Sequence, residues 1–316
     1  MDQAPATPFV ERRRMGNQAM SPSTPLLELP GKVLSDSGAR SSLRLLEPPQ
    51  CDLEALFAKI EAGSYGKPFI VEDGQTRRLY FSLDLVQSAM RIDDPYALEF
   101  AYTRKMMAFL LFVSDPAHVL MVGLGGGSLA KFCHRYLPRA RLTVVEVSAD
   151  VIALRNEFGV PDDPRLAIVE ADAAAYLPAA KGDTDVLLLD GFDSRGIAPA
   201  FLDRGFYRAA RRRLRPGGLV VANFAGPRKY WSRHLALLND AFEGHVHVGT
   251  VPGGDNHIAL AFADAGVALD WEQLEERAAM LADRFPLDFS ALVTSLREGA
   301  ELRWVKAACR RASPFQ

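Results

Sequence analysis

Between His118 and Asn223 the chain alternates short valine- and leucine-rich runs with helical stretches, and the first run ends in Gly123-Leu124-Gly125-Gly126-Gly127. The runs are His118 to Val122, Arg141 to Val145, Leu166 to Val169, Asp185 to Leu189 and Leu219 to Asn223. They lack the polar alternation of a strand with one wet face, so they read as strands covered on both sides. Helices from about Ser128, Asp150 and Pro199 separate them. Such a β-α-β succession closes as a parallel sheet with right-handed crossovers, and the expected fold class is α/β, doubly wound. Two further strands, near His245 to Thr250 and His257 to Phe262, flank the turn-forming run Pro252-Gly253-Gly254-Asp255-Asn256, which predicts an antiparallel hairpin at the sheet edge.

The flanking segments read differently. Residues 1–24 are rich in Pro, Ser, Ala and Gln without a steady period and predict a mobile tail. Residues 25–95 hold short apolar segments between glycine turns, with one helix over Asp52 to Ala62, and predict a small β-rich N-terminal domain. Residues 96–265 form the ligand-binding domain, entered through Tyr96 to Phe112, where apolar residues three and four apart predict one buried helical face. Residues 266–316 predict a C-terminal helical segment.

Composition narrows the function classes. The 37 basic and 39 acidic side chains nearly cancel, so nucleic acid is not an expected partner. The apolar runs are too short and interrupted for a membrane span, and no membrane partner is expected. Cys51, Cys133 and Cys309 lie far apart with no C-x-x-C spacing, which favours neither a disulfide framework nor a zinc site. A cytoplasmic protein without a metal is the expectation.

In an open parallel sheet the ligand crevice lies beyond the carboxyl ends of the strands. There Gly123, Gly125, Gly126 and Gly127 allow a tight turn and close approach of backbone to a ligand, with a helix N-terminus behind. Glu146 follows the second strand, about 20 residues beyond the loop, where an acid can accept both ribose hydroxyls of a Rossmann-type nucleoside site. Asp172 follows the third strand; it can accept from an adenine amine or cap the next helix. Asp190 and Asp193 follow the fourth, and two carboxylates beside one crevice favour a cationic ligand.

These residues resemble the spermidine synthase family, the polyamine aminopropyltransferases. The resemblance runs from roughly Leu79 to Phe262. It is carried, in order, by Leu83-Asp84-Leu85-Val86-Gln87, Leu98-Glu99-Phe100-Ala101-Tyr102, the glycine loop, Val144-Val145-Glu146-Val147, Glu170-Ala171-Asp172-Ala173, Leu189-Asp190-Gly191-Phe192-Asp193, Phe206-Tyr207 and Leu214-Arg215-Pro216-Gly217-Gly218. It implies a β-rich N-terminal domain before a methyltransferase-type Rossmann-like sheet. It also implies transfer of an aminopropyl group from decarboxylated S-adenosylmethionine to a small-molecule amine, and a possible homodimer. By the same resemblance Gln87 contacts the nucleoside, Tyr102 lines the amine pocket, Glu146 holds the ribose and Asp172 with Ala173 meets the adenine. Asp190 takes the amine proton and Asp193 orients the amine.

Two departures bear on substrate choice. The family loop reads G-G-G-D-G-G, and a gap-free overlay puts Gly126 at the aspartate and Ser128 at the last glycine. Loss of that acid removes a contact to the donor's amine and a repulsion of the carboxylate of intact S-adenosylmethionine. The family tyrosine is commonly followed by His-Glu, whereas Tyr102 precedes Thr103-Arg104-Lys105, which implies a less acidic amine pocket. The alternatives are therefore a methyltransferase using S-adenosylmethionine and a non-catalytic nucleoside-binding relative.

Overall fold

The computed structural model describes residues 26–30, 41–193, 196–197, 199–226, 228–251, 253, 256–265, 267 and 269–301, of which 192–193, 196–197, 199–200 and 228–230 are described by backbone alone. The tail at 1–24, Cys309 and the end of the C-terminal segment lie outside the described residues.

Strands β1 (Leu27–Pro30), β2 (Ser42–Leu45), β3 (Phe69–Glu72), β4 (Thr76–Ser82) and β5 (Leu85–Arg91) form an antiparallel sheet in sequential order. Helix α1 (Leu53–Glu61) starts where the Asp52 carboxylate accepts from the Ala55 amide, and buries Leu56 and Ile60 against Leu43, Leu45 and Phe69. The N-cap bond satisfies an amide that has no partner within the helix.

The larger sheet holds β6 (His118–Val122), β7 (Arg141–Glu146), β8 (Leu166–Glu170), β9 (Thr184–Leu189), β12 (Leu214–Phe224), β13 (Val246–Thr250) and β14 (His257–Phe262), in the order β13-β14-β12-β9-β6-β7-β8. The core strands β8, β7, β6, β9 and β12 are mutually parallel, and β14 runs antiparallel between β12 and β13. Along β6, Val119 and Met121 enter one core cluster while Leu120 and Val122 enter the other, so both faces are covered. That explains the unbroken apolar runs in the sequence.

One face packs α2 (Ala101–Met106), α3 (Ser128–Tyr136), α8 (Trp271–Ala282) and α9 (Phe289–Glu301). The other packs α6 (Arg204–Arg213) and α7 (Arg228–Ala241). Short helices α4 (Ala149–Ala153) and α5 (Ala173–Tyr176) follow β7 and β8, and a two-strand ribbon, β10 (Phe192–Asp193) with β11 (Gly196–Ile197), follows β9. Among the described residues no helix is long and apolar enough to cross a membrane.

Two segments differ from the sequence expectation. The helix expected over Tyr96 to Phe112 is α2 alone, continued by a tighter 3-10 turn at Met107–Leu111 whose five residues are all buried. Burial of all five replaces the single buried face that the spacing implied. Strand β12 begins earlier than expected, with a register shift between Leu214 and Leu219. Gly217 there has φ +76°, and a Cβ on Gly218 would lie 2.9 Å from the Asp185 carbonyl oxygen.

The chain leaves β6 for β7 and β8 on one side and returns to β9 on the other, so the sheet's switch point opens between β6 and β9. The antiparallel sheet is tied down beside it. Arg44 pairs with Glu157 at 2.7 Å, Arg77 donates to the Glu157 carbonyl, and the Ser88 and Ser128 hydroxyls lie 3.3 Å apart. These contacts hold β5 against the glycine loop.

Candidate active site

A cavity of about 530 Å³ opens at the switch point, within the usual ~300–1,000 Å³ of small-molecule sites. The strand ends supply Gly123, Glu146, Asp172, Asp190 and Asn223; β5 supplies Gln87 and α2 supplies Tyr102. Glu146, Asp172 and Asp190 are its carboxylates, and no lysine, arginine or histidine is among the described lining residues. A cavity so charged is suited to a cationic guest.

The glycines divide into two groups. Gly123 has φ +94°, and a Cβ on it would sit 2.3 Å from the Asp190 carbonyl oxygen, so the turns after β6 and β9 can meet only through a glycine. Gly125 lines the cavity with open space before it; its nearest neighbour is Ser88 Cβ at 3.8 Å. Gly126 and Gly127 do not line the cavity. A Cβ on Gly126 would lie 2.7 Å from Ser88 Oγ and 2.9 Å from Phe158 Cδ1, and one on Gly127 would lie 2.4 Å from Val160 Cγ2. Their bareness serves packing against β5 and the loop after α4, and a carboxylate at 126 has no room. Of Gly125, Gly126 and Gly127, only Gly125 lines the cavity.

Glu146 is buried at the end of β7 and holds two backbone amides, Leu124 N on Oε2 and Ser148 N on Oε1, each at 2.8 Å. It therefore fixes the glycine loop as well as facing the cavity. A carboxylate oxygen has a second lone pair, so ribose hydroxyls can still donate to it. Asp172 caps α5 through Ala174 N at 2.8 Å, which uses one of its oxygens, and Ala173 follows it into the lining. The capping alternative for Asp172 is thus realised, and the residue also lies in the cavity lining. Beside Glu146, Val147 is 71% exposed although apolar, a surface that a flat purine would cover.

Asp190 follows β9 into the cavity lining. Tyr102 Oη donates to its Oδ2 at 3.2 Å and Asn223 Nδ2 donates to its Oδ1 at 2.9 Å. Burial pushes the carboxyl up to about 6, with the two donors opposing that rise. A carboxylate so placed is a stronger base than one in water. Burial and the neighbouring Asp190 charge hold the Tyr102 phenol well above its ordinary value, so it stays protonated and keeps donating. Asp193 lies in β10, and its side chain is outside the described ones.

Arg104 and Lys105 do not alter the pocket as their proximity to Tyr102 implied. Arg104 donates to the Leu98 and Glu99 carbonyls and Lys105 to the Ala291 carbonyl; neither lines the cavity. A helix turns about 100° per residue, and these side chains leave from other faces. Sequence reasoning missed Asn223, Asn256, Ser88 and Phe201, all in the lining. Asn223 was within reach, being a polar residue ending the apolar run of β12; Asn256 was hidden in a turn-forming stretch.

The polyamine aminopropyltransferase of Chromobacterium violaceum is 39% identical over 232 residues, covering 72% of this chain and 88% of that protein. Residues 99–235 match the family model described as the spermine/spermidine synthase domain. The chain belongs to the spermine/spermidine synthase family. Among solved structures, a spermidine synthase in complex with the transition state analogue AdoDATO superposes with TM-score 0.60 at 19% identity, over 77% of this chain and 85% of that one. Human methyltransferase-like protein 13 in complex with SAH superposes with TM-score 0.51 at 22% identity, over 63% and 93%. Spermidine synthases and methyltransferases thus share this sheet, and within the family the cavity at its switch point is where transferase chemistry is to be sought.

Proposed function

We propose that the protein transfers an aminopropyl group from decarboxylated S-adenosylmethionine to a small-molecule amine. The observation that carries this reading is the single cavity in which Glu146, Asp172 and Asp190 converge without a cationic side chain among the described lining. Glu146 would accept the ribose hydroxyls, Asp172 and Ala173 would border the adenine above Val147, and Gln87 would flank the nucleoside. The sulfonium and an ammonium then supply the missing positive charge.

A free alkylamine titrates near ~10.4 and carries no lone pair at neutral pH until it loses a proton. Asp190, with Tyr102 and Asn223 each occupying one lone pair of its carboxylate, keeps lone pairs for that proton. The freed nitrogen attacks the propyl carbon attached to sulfur, the C–S bond breaks with its pair passing to sulfur, and neutral methylthioadenosine leaves. Asp193 would orient the amine cation. Because the sulfonium is already activated, in-line positioning supplies much of the acceleration.

Methyl transfer from intact S-adenosylmethionine is the second reading, favoured by Gly125 opening on the cavity with only Ser88 near it. Calorimetry with the decarboxylated donor, the intact donor, methylthioadenosine and NAD separates the two. Tighter binding of the decarboxylated donor, and an aminopropylated product by mass spectrometry with putrescine or spermidine, support the first. Preference for the intact donor with no aminopropylated product refutes it.

A further inference from the structure

The Asp190 carboxylate is the end of a longer chain of side-chain hydrogen bonds. Asn256 Nδ2 donates to Asn223 Oδ1 at 2.9 Å, and Asn223 Nδ2 donates in turn to Asp190 Oδ1 at 2.9 Å. Asn223 is 5% exposed at the end of β12, and Asn256 lies just before β14, the antiparallel neighbour of β12. All three residues line the cavity.

An amide presents an N–H₂ on one side and a carbonyl oxygen on the other, and in a buried site the two are not interchangeable. If the Asn223 amide turned over, its oxygen would face the Asp190 carboxylate, and that contact is attractive only when Asp190 is protonated. We propose that Asn256 is a positioning residue of the site: by donating to Asn223 Oδ1 it holds the amide with its N–H toward Asp190, and so keeps Asp190 in the ionised form that can take a proton.

The titratable groups sharing the cavity are Tyr102 from α2, Glu146 from β7 and Asp172 before α5. Tyr102 donates to the other Asp190 oxygen, Glu146 is engaged by backbone amides, and Asp172 caps α5. No described lining residue is cationic. The support for the ionised carboxylate thus comes from two neutral donors, one of which depends on Asn256.

The inference rests on the reading of Asp190 as proton acceptor, and its test uses the ligand-free protein so that the two can fail separately. Aspartate carboxyls are labelled with ¹³C and titrated by NMR, with Asp190→Asn assigning the signal. In Asn256→Ala the Asp190 midpoint moves to higher pH by roughly one unit, the effect expected for weakening one hydrogen bond to a charged group. In Asn256→Asp, whose carboxylate accepts from Asn223 and draws the amide round, the midpoint moves further in the same direction. The Asn223 side-chain amide protons, followed by ¹⁵N NMR, shift in both variants. An Asp190 midpoint unchanged from wild type in Asn256→Ala, with the fold intact by the amide spectrum, overturns the proposal, whatever the added charge does in Asn256→Asp. A moved midpoint in a protein with no aminopropyl transfer upholds the inference and refutes only the proposed substrate.

Discussion

Replacing Asp190 by asparagine should stabilise the protein while sharply lowering its activity, and the stabilisation should depend on pH. Burial raises the carboxyl from its ordinary 3.8 to about 6 in the folded chain. The folded state therefore binds the proton more tightly than the unfolded state, so ionised Asp190 destabilises the fold. That cost is absent below the unfolded value, grows as pH rises, and is complete above about 6. The gap amounts to about 3 kcal/mol, taking ~1.36 kcal/mol per pKa unit. An asparagine carries no charge, and it can turn its oxygen toward Asn223 Nδ2 and its N–H₂ toward the Tyr102 oxygen, leaving the Tyr102 O–H to donate to solvent in the cavity that Tyr102 lines. Thermal melts of wild type and Asp190→Asn are compared at pH 4.5 and pH 7.5 without ligand. The variant should gain on the order of 5 °C over wild type at pH 7.5 and about a third of that at pH 4.5. Transfer activity should fall by roughly 10²–10⁴-fold, the usual contribution of a positioned acid or base. An equal difference in melting temperature at both pH values, or a variant less stable at pH 7.5, would mean that ionised Asp190 carries no such cost.

Further outcomes follow from the same contacts. Tyr102→Phe removes one of the donors that oppose the rise at Asp190, so the acid limb of the kcat/KM profile should move to higher pH; an unmoved limb contradicts the bond. Glu146→Gln leaves one of the two amides, Leu124 N or Ser148 N, facing an N–H₂, and methylthioadenosine affinity by calorimetry should drop about 10–100-fold, equivalent to ~1.5–3 kcal/mol for a hydrogen bond to a charged group. Gly123→Ala would press a Cβ onto the Asp190 carbonyl at a φ of +94°, so chemical denaturation should show a loss of at least ~2 kcal/mol, whereas a wild-type midpoint would mean the two turns are not in contact.

The sheet was legible because a doubly covered parallel strand leaves a direct trace, an apolar run without polar alternation, as at Leu120, Met121 and Val122. The carboxylates were legible for a related reason, since residues directly after such runs must sit at the sheet's ligand-bearing edge. What a residue does there was harder to read. Glycine is required equally for backbone contact at Gly123, an open floor at Gly125 and packing at Gly126 and Gly127, and the sequence records the same letter for each. Proximity along the chain also misled at Arg104 and Lys105, whose side chains depart from α2 away from Tyr102. Asn256 became visible as a partner of Asn223 only once β14 was paired with β12, a contact set by tertiary register.

Acids from separate strand tips should surround one nucleoside, and a crystal structure with methylthioadenosine bound is the decisive check. Ribose hydroxyls should lie on Glu146, the purine against Val147 beside Asp172 and Ala173, and the thioether sulfur toward the Tyr102–Asp190 pair. A nucleoside bound outside this cavity, or inside it with the sugar turned away from Glu146, would contradict this placement.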